Sequence, residues 1–210
     1  MAKLTFYYGT MSSGKTIDLI QTAYKYNSKG MRAIIMKPSK DTKGNRNIVS
    51  RIGLEKEADI LLGEHQSIFE YSYLLKNITC LLVDEAQFLT EEQVLELAML
   101  TKELDIPVIC YGLKSDFQGN LFPGTKALFV FADQYEKLRA VCATEGCINN
   151  ANFNARKIDG QYVYEGPQVL IGADDEYDPL CGDCYFEKVL KPNHVGCQEV
   201  FEKIKKFKNE

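Results

Sequence analysis

The sequence predicts an α/β domain with a parallel sheet covered by helices on both faces, followed by a small cysteine-rich module. Three observations predict it. Apolar, strand-like runs alternate with helical periodicity until the pattern breaks near residue 140. A glycine-rich loop joins the first such run to the first helical segment, and two cysteine pairs follow the break.

Leu4 to Tyr8 is apolar and aromatic and ends at Gly9, which reads as a strand. From Lys15, apolar residues at Ile17, Leu19, Ile20, Ala23 and Tyr24 recur at helical spacing and stop near Gly30. Residues 32–37 form a β-rich run closed by Pro38, and the polar stretch 39–47 reads as a loop. A strand is expected at 58–62 and a helix from Ser67 to Lys76. Residues 79–85 form a continuous apolar run that ends in Asp84 and Glu85, as in a buried parallel strand. Thr90 with Gln93 makes a capping box for a helix to Leu104, and 107–112 is a further buried strand. The expected organisation is a nucleotide-binding domain over 1–140, a metal-binding module over 141–192 and a tail over 193–210. In the tail, Val200, Phe201, Ile204 and Phe207 have helical spacing.

The bulk numbers narrow the class. With 210 residues, 45% of them hydrophobic, the chain holds a real core but no second full domain. A net charge of −4 gives no electrostatic footprint for a nucleic-acid partner. No segment approaches the roughly 18 apolar residues of a membrane helix, so no membrane partner is expected. Met1-Ala2-Lys3 leads directly into the first strand, which leaves no room for a signal peptide, and a cytoplasmic location is expected. In that compartment an odd set of seven cysteines points to metal binding or core packing rather than disulfides.

Gly9-Thr10-Met11-Ser12-Ser13-Gly14-Lys15-Thr16 matches the full G-x-x-x-x-G-K-[ST] phosphate loop, between a strand and a helix as the motif requires. Its glycines let the backbone curl so that N–H groups converge on phosphate oxygens. Lys15 brings charge to the β- and γ-phosphates of ATP, Thr16 offers a hydroxyl to Mg²⁺, and the helix presents its positive end. Asp84 and Glu85 end a strand at the same sheet edge. Alone, such a pair reads as a solvent-facing cap. Beside a phosphate loop, Asp84 reads as a second Mg²⁺ contact, and Glu85 as a base or a group that positions the nucleophile.

Cys142 and Cys147 are four residues apart and Cys181 and Cys184 two apart, both spacings that allow two thiolates to reach one tetrahedral Zn²⁺. Four sulfur ligands leave no open position, so the metal is expected to be structural. Cys80 and Cys110, inside strand-like runs, read as core thiols, and Cys197 as a bystander. His65 and His194 have no partner at useful spacing.

Taken together, GTMSSGKT, the SKDT loop, DEAQF at 84–88, GLKSDFQGNLFPG at 112–124 and CGDCYF at 181–186 resemble the type II, cytosolic-like thymidine kinases. The resemblance runs from about residue 4 to residue 191 and implies a RecA-like P-loop domain with a small C-terminal zinc-ribbon or lasso domain. It implies transfer of the ATP γ-phosphoryl group to the 5′-hydroxyl of thymidine, with Glu85 as the catalytic base and residues 9–16 and Asp84, Glu85, Ala86 and Gln87 at the ATP. For the nucleoside it implies Met11, Phe88, Leu113, Phe117, Asn154, Arg156 and Tyr177, with Val169, Leu170, Ile171 and Gly172 in a loop that closes over the base. It matches Arg51, too, to a basic position near the active site, and it implies a homotetramer and feedback inhibition by dTTP. The sequence departs from the family at three places: a C-x₄-C first knuckle, Asn154 where many members carry threonine, and Lys43 in place of arginine. Two other functions fit part of the motif set, a nucleic-acid motor fragment and a nucleotide switch whose zinc module binds a partner. The first needs a second ATPase lobe that 210 residues do not hold.

Overall fold

A computed structural model describes residues 1–40, 46–168 and 176–208. The chain forms two compact units, one of residues 1–114 and 121–138, the other of residues 115–120 and 139–210.

The first unit carries a six-stranded, all-parallel sheet. In chain order its elements are β1 (Leu4–Gly9), α1 (Lys15–Asn27), β2 (Ala33–Pro38), β3 (Asn47–Val49), β4 (Glu55–Glu57) and β5 (Ile60–Leu62). There follow α2 (Ser72–Leu75), β6 (Cys80–Val83), α3 (Glu91–Glu103), β7 (Val108–Leu113), α4 (Pro123–Phe131) and β8 (Gln134–Lys137). The strand order is β5-β2-β6-β7-β1-β8, and every neighbouring pair is parallel.

The period-2 alternation of side chains explains why the central strands are apolar throughout. Leu4, Phe6, Ile34, Met36, Leu81, Val83, Val108 and Cys110 point to one face and pack with Val94, Leu97 and Leu100 of α3 and Ala127 and Leu128 of α4. Ala33, Ile35, Cys80, Leu82 and Tyr111 point to the other, against Leu19 and Ala23 of α1. Cys80 and Cys110 are fully buried, as expected of core thiols. Burial pushes the Cys80 thiol up to about 11 and raises that of Cys110 further, so neither is a nucleophile at neutral pH.

Local signals fix the helix ends. Thr90 accepts from the backbone N–H of Gln93 at 3.2 Å while the Gln93 side chain accepts from Thr90 N at 3.1 Å, the expected capping box. Ser67 and Glu70 make a second one. The segment expected as a helix from Ser67 to Lys76 instead holds a 3₁₀ turn, Ile68–Tyr71, and the single turn α2. Among its residues only Ile68 and Leu75 are buried, too few for a longer amphipathic face.

Four elements of this unit, β3, β4, β8 and α4, lack a sequence expectation. The β3–β4 hairpin and β8 have little or no buried side-chain surface, so no apolar period marks them. Backbone pairing holds them. Pro123-Gly124 looks like a turn but starts α4, with proline in its first turn, where its missing N–H costs nothing. Gly124 is there because α4 lies on the turn after β6: an added Cβ would come within 2.9 Å of the Gln87 and Leu89 carbonyls and closer still to that of Ala86. Gly124→Ala is expected to destabilise the protein by about 1–3 kcal/mol, read as a lower midpoint in thermal or urea unfolding.

The second unit is built on a three-stranded antiparallel sheet, β10-β9-β11, from β9 (Phe153–Ile158), β10 (Gln161–Val163) and β11 (Glu176–Leu180). After it come α5 (Gly182–Tyr185), a π turn (Phe186–Leu190), α6 (Lys191–Asn193) and α7 (Val195–Lys208). Its core is small: Cys142, Ala155, Leu180, Cys181, Tyr185 and Val189. Phe153 stacks on Tyr185 at 4.4 Å. The helical spacing in the tail corresponds to α7, which buries none of its residues.

Candidate active site

An all-parallel sheet puts the C-terminal ends of its strands along one edge, the edge where open α/β sheets bind ligands. β7 lies between β1 and β6, so the loop after β1 and the acids after β6 are held two strand spacings apart, about 10 Å.

The phosphate loop has the backbone its sequence calls for. Ser12 and Gly14 lie at φ 61° and 80°, left-handed values that fold the chain back on itself between β1 and α1. At Gly9 an added Cβ would come within 2.8 Å of the Leu138 carbonyl and 2.9 Å of Ser13 Cβ. No side chain caps α1, whose cap residue is Gly14, so an anion is the partner its first turn favours. The hydroxyls of Thr10 and Ser13 are buried and, among the described residues, make no hydrogen bond. Orphaned donors in this place suit phosphate oxygens. Lys15 is buried and its Nζ donates to the Thr10 carbonyl at 2.7 Å. Burial lowers its ammonium pKa, the carboxylates of Glu85 and Asp84 hold it up, and Arg51 lowers it again. Arg51 Nη1 donates to Ser12 Oγ at 2.5 Å, which brings a guanidinium onto the crest of the loop. Thr16, the candidate hydroxyl for Mg²⁺, stands in the first turn of α1 and is partly buried.

The acids follow from β6. Asp84 is buried and extends the sheet, its N–H donating to the Met36 carbonyl at 2.9 Å. Glu85 then turns into the left-handed region, φ 48° and ψ 39°. For a residue with a β-carbon that conformation costs on the order of 1–3 kcal/mol. The turn takes Glu85 out of the strand direction, and Ala86–Phe88 closes as a 3₁₀ turn. Gln87 is fully buried and donates its amide N–H to Glu85 Oε2. Phe88 is half-buried edge-on to Phe122 at 5.7 Å, and Leu113, at the end of β7, is buried. Met11 is partly exposed on the loop.

In the second unit, the residues matched to the nucleoside cluster on β9 and its neighbours. Arg156 is completely buried; its guanidinium lies 4.2 Å over the Phe117 ring. Nε donates to Tyr177 Oη at 2.9 Å, and Nη1 to the Pro167 carbonyl at 3.1 Å. One side chain thus grips the chain on both sides of residues 169–175. Val169, Leu170, Ile171 and Gly172 themselves lie outside the described residues, as do Asp41, Thr42 and Lys43. Asn154 is buried and donates to the Ser115 carbonyl at 3.1 Å, a bond to the Ser115–Asn120 loop.

Sequence reasoning missed what organises that loop. Asp116 Oδ1 accepts from the N–H groups of Gln118 and Asn120, and Oδ2 from Gln168 Nε2 at 3.0 Å. Tyr185 donates to the Phe117 carbonyl at 2.6 Å and Tyr164 to that of Gln118 at 3.3 Å. Asp116 followed by Gly119-Asn120 is a turn signal for part of this; the partners from 164–185 leave no local trace.

The four cysteines of the spaced pairs converge. Their sulfurs all lie within 4.8 Å of one another, and among the described residues they form the only cluster of three or more potential metal ligands. Cys147 and Cys181 Sγ are 3.8 Å apart, far beyond a disulfide and equal to the edge of a ZnS₄ tetrahedron with bonds of about 2.3 Å. Cys181 N–H donates to Cys142 Sγ at 3.3 Å, the kind of support that metal thiolates receive. Burial alone would raise the Cys142 thiol, but N–H groups of Cys181 and Thr144 bring it down to about 6. At Cys147 an N–H from Asn149 lowers the thiol, but desolvation and then the neighbouring thiols outweigh it and raise it to about 11. The donor set is compatible with zinc, despite the wider first knuckle. Cys197 and His194 lie outside it: Cys197 N–H donates to His194 Nδ1 at 3.1 Å, and His194 packs edge-on to Tyr164 at 4.8 Å.

Among the described residues, no helix is long and apolar enough to cross a membrane. The family model for thymidine kinase matches residues 2–185, which takes in both units. The chain is 41% identical over 196 residues to a thymidine kinase of Lactobacillus acidophilus, covering 89% of this chain and 97% of that protein. It is 41% identical over 189 residues to one of Lactococcus lactis, with 89% and 98% coverage, and 40% identical over 188 residues to one of Streptococcus agalactiae, again with 89% and 98%. A phosphate loop and an acidic pair on one sheet edge, a four-thiol cluster and likeness over nearly the full length of these relatives agree, and the chain belongs to the thymidine kinase family.

Proposed function

We propose that the protein transfers the γ-phosphoryl group of ATP to the 5′-hydroxyl of thymidine, giving ADP and thymidine monophosphate. The observation that carries this is that the phosphate loop with its buried Lys15 follows β1 while Asp84 and Glu85 follow β6, on one edge of the parallel sheet and two strand spacings apart. That arrangement offers a cation for the phosphates and a carboxylate for a hydroxyl proton at the same edge.

Phosphoryl transfer asks the protein chiefly for positioning and charge neutralisation. The loop amides, the Thr10 and Ser13 hydroxyls and Lys15 hold the phosphate chain, and Arg51 adds charge at the loop crest. Glu85 accepts the proton as the 5′-oxygen forms its bond to the γ-phosphorus and the bridging oxygen leaves with ADP. Thr16 and Asp84 are the residues that would hold Mg²⁺, which when bound neutralises charge on the β- and γ-oxygens. Arg156, stacked on Phe117 and tied to Tyr177 and Pro167, supports the segment that grips the base. Cys142, Cys147, Cys181 and Cys184 would hold a structural Zn²⁺ that keeps this small unit folded. The family resemblance carries the further expectation of a homotetramer inhibited by dTTP.

The test is phosphate transfer from ATP to thymidine, deoxyuridine, deoxycytidine and deoxyadenosine, with water as control. Thymidine monophosphate is expected to dominate, with little product from deoxycytidine or deoxyadenosine. ADP formation with no nucleoside product would reject the proposal in favour of an ATPase or switch.

A further inference from the structure

Glu85 stands on a backbone conformation that fixes its Cα–Cβ direction, yet a glutamate has three side-chain torsions that set where its carboxylate oxygens lie. What holds those is visible next to it. Gln87 is fully buried, and its Oε1 accepts the backbone N–H of Leu113 at 3.0 Å. An N–H is a donor only, so this bond decides which end of the amide faces β7 and leaves the NH₂ group facing the other way. There it donates to Glu85 Oε2. The strand makes room for this packing at Gly112, where an added Cβ would come within 3.0 Å of Gln87 Oε1 and 3.1 Å of its backbone nitrogen.

We propose that Gln87 is a positioning residue for Glu85: anchored on β7, it holds Oε2 and so leaves Oε1 to take the proton of the acceptor hydroxyl. This rests on the reading of Glu85 as the base. It gives Gln87 a different part from direct contact with ATP. A carboxylate with one oxygen tied and one presented is pre-aligned for a single proton transfer. Alignment of this kind is lost without much loss of binding. Among the described residues, Lys15 on α1 interacts electrostatically with Glu85, with Asp84 beside it on the β6 turn, and with Arg51.

Gln87→Glu separates positioning from packing. The new carboxylate still accepts from Leu113 N–H and has the same shape, but it presents an oxygen, not an N–H, to Glu85. The bond that held Oε2 is lost and replaced by repulsion between two acceptors. The expected result is a kcat at pH 7 that is lower by about 10- to 100-fold, with KM for ATP within about threefold. A wild-type kcat in this variant would overturn the proposal. Gln87→Met, which removes both bonds, is the second variant and is read in a cycle with Glu85→Gln. If Gln87 acts through Glu85, Gln87→Met lowers kcat in the wild-type background and has little further effect on the residual rate when Glu85 is already glutamine. Equal, additive losses in both backgrounds would mean a packing role only, and would overturn the proposal as well. A wild-type enzyme that makes no thymidine monophosphate would instead reject the reading of function on which this one stands.

Discussion

Replacing Glu85 by glutamine is expected to lower kcat by about 10²- to 10⁴-fold, the usual worth of a general base, while ATP still binds. Glutamine keeps the size of the side chain and can still meet the Gln87 amide, now through its carbonyl oxygen. It cannot accept a proton from a hydroxyl. Since Glu85 is one of the carboxylates that hold up the Lys15 ammonium pKa, a modest change in ATP affinity is expected too. Asp84 remains as the second support. The measurement is initial rate against thymidine at saturating ATP, with nucleotide affinity taken separately by calorimetry. Turnover within a few-fold of wild type would remove Glu85 from the role of base and leave Asp84, on the same edge, as the next carboxylate to test.

Cys142→Ser is expected to have the other large effect, through folding rather than chemistry. Among the described residues, the apolar cluster at the centre of the second unit holds six buried residues, two of them cysteines of the thiol cluster. So small a core does not sustain a unit of this size unaided. Structural zinc contributes apparent binding free energies of about 10–16 kcal/mol in small metal-folded domains, enough to dominate here. One zinc per chain is expected in the wild-type protein by elemental analysis, and none, or a loosely held fraction, in the variant. Thymidine turnover should fall with it, because Arg156, Asn154 and the loop Ser115–Asn120 belong to the unit that loosens. Nucleotide binding at the phosphate loop should be affected far less, since Gly9 to Thr16 belong to the first unit. A zinc-free wild-type protein, or a variant with unchanged unfolding temperature, would show that the four thiols pack without a metal.

Several features of the molecule were legible because their cause is local. The phosphate loop is one, since Gly9 and Gly14 occupy positions where a side chain would collide or a left-handed φ is needed. The Thr90–Gln93 capping box is another, written in two residues three apart. The central strands β2, β6 and β7 were readable as well. Burial on both faces leaves an unbroken apolar run, and its length marks a strand. The spacing of the cysteine pairs pointed to a four-thiol cluster compatible with zinc, though spacing alone does not say that the two pairs meet.

Tertiary structure decided the rest. That β7 runs between β1 and β6, and so sets the distance from phosphate loop to acids, is a matter of sheet order, which no local pattern encodes. β8 forms because its backbone pairs with β1, not because its exposed side chains favour a strand. The fully buried Arg156 would pass in sequence for a surface charge; Phe117, 39 positions away, lies beneath its guanidinium, and Tyr177 and Pro167 take its N–H groups. Gln87 is legible as part of a motif, but its function depends on Leu113, 26 residues on, whose N–H turns the amide toward Glu85. Composition, periodicity and motif spacing therefore determined the class of chemistry and the strands that carry it. Which buried polar groups face one another was decided only when the chain closed. Hydrogen bonds act over about 3 Å in space, whereas local sequence patterns report on neighbours only a few positions apart.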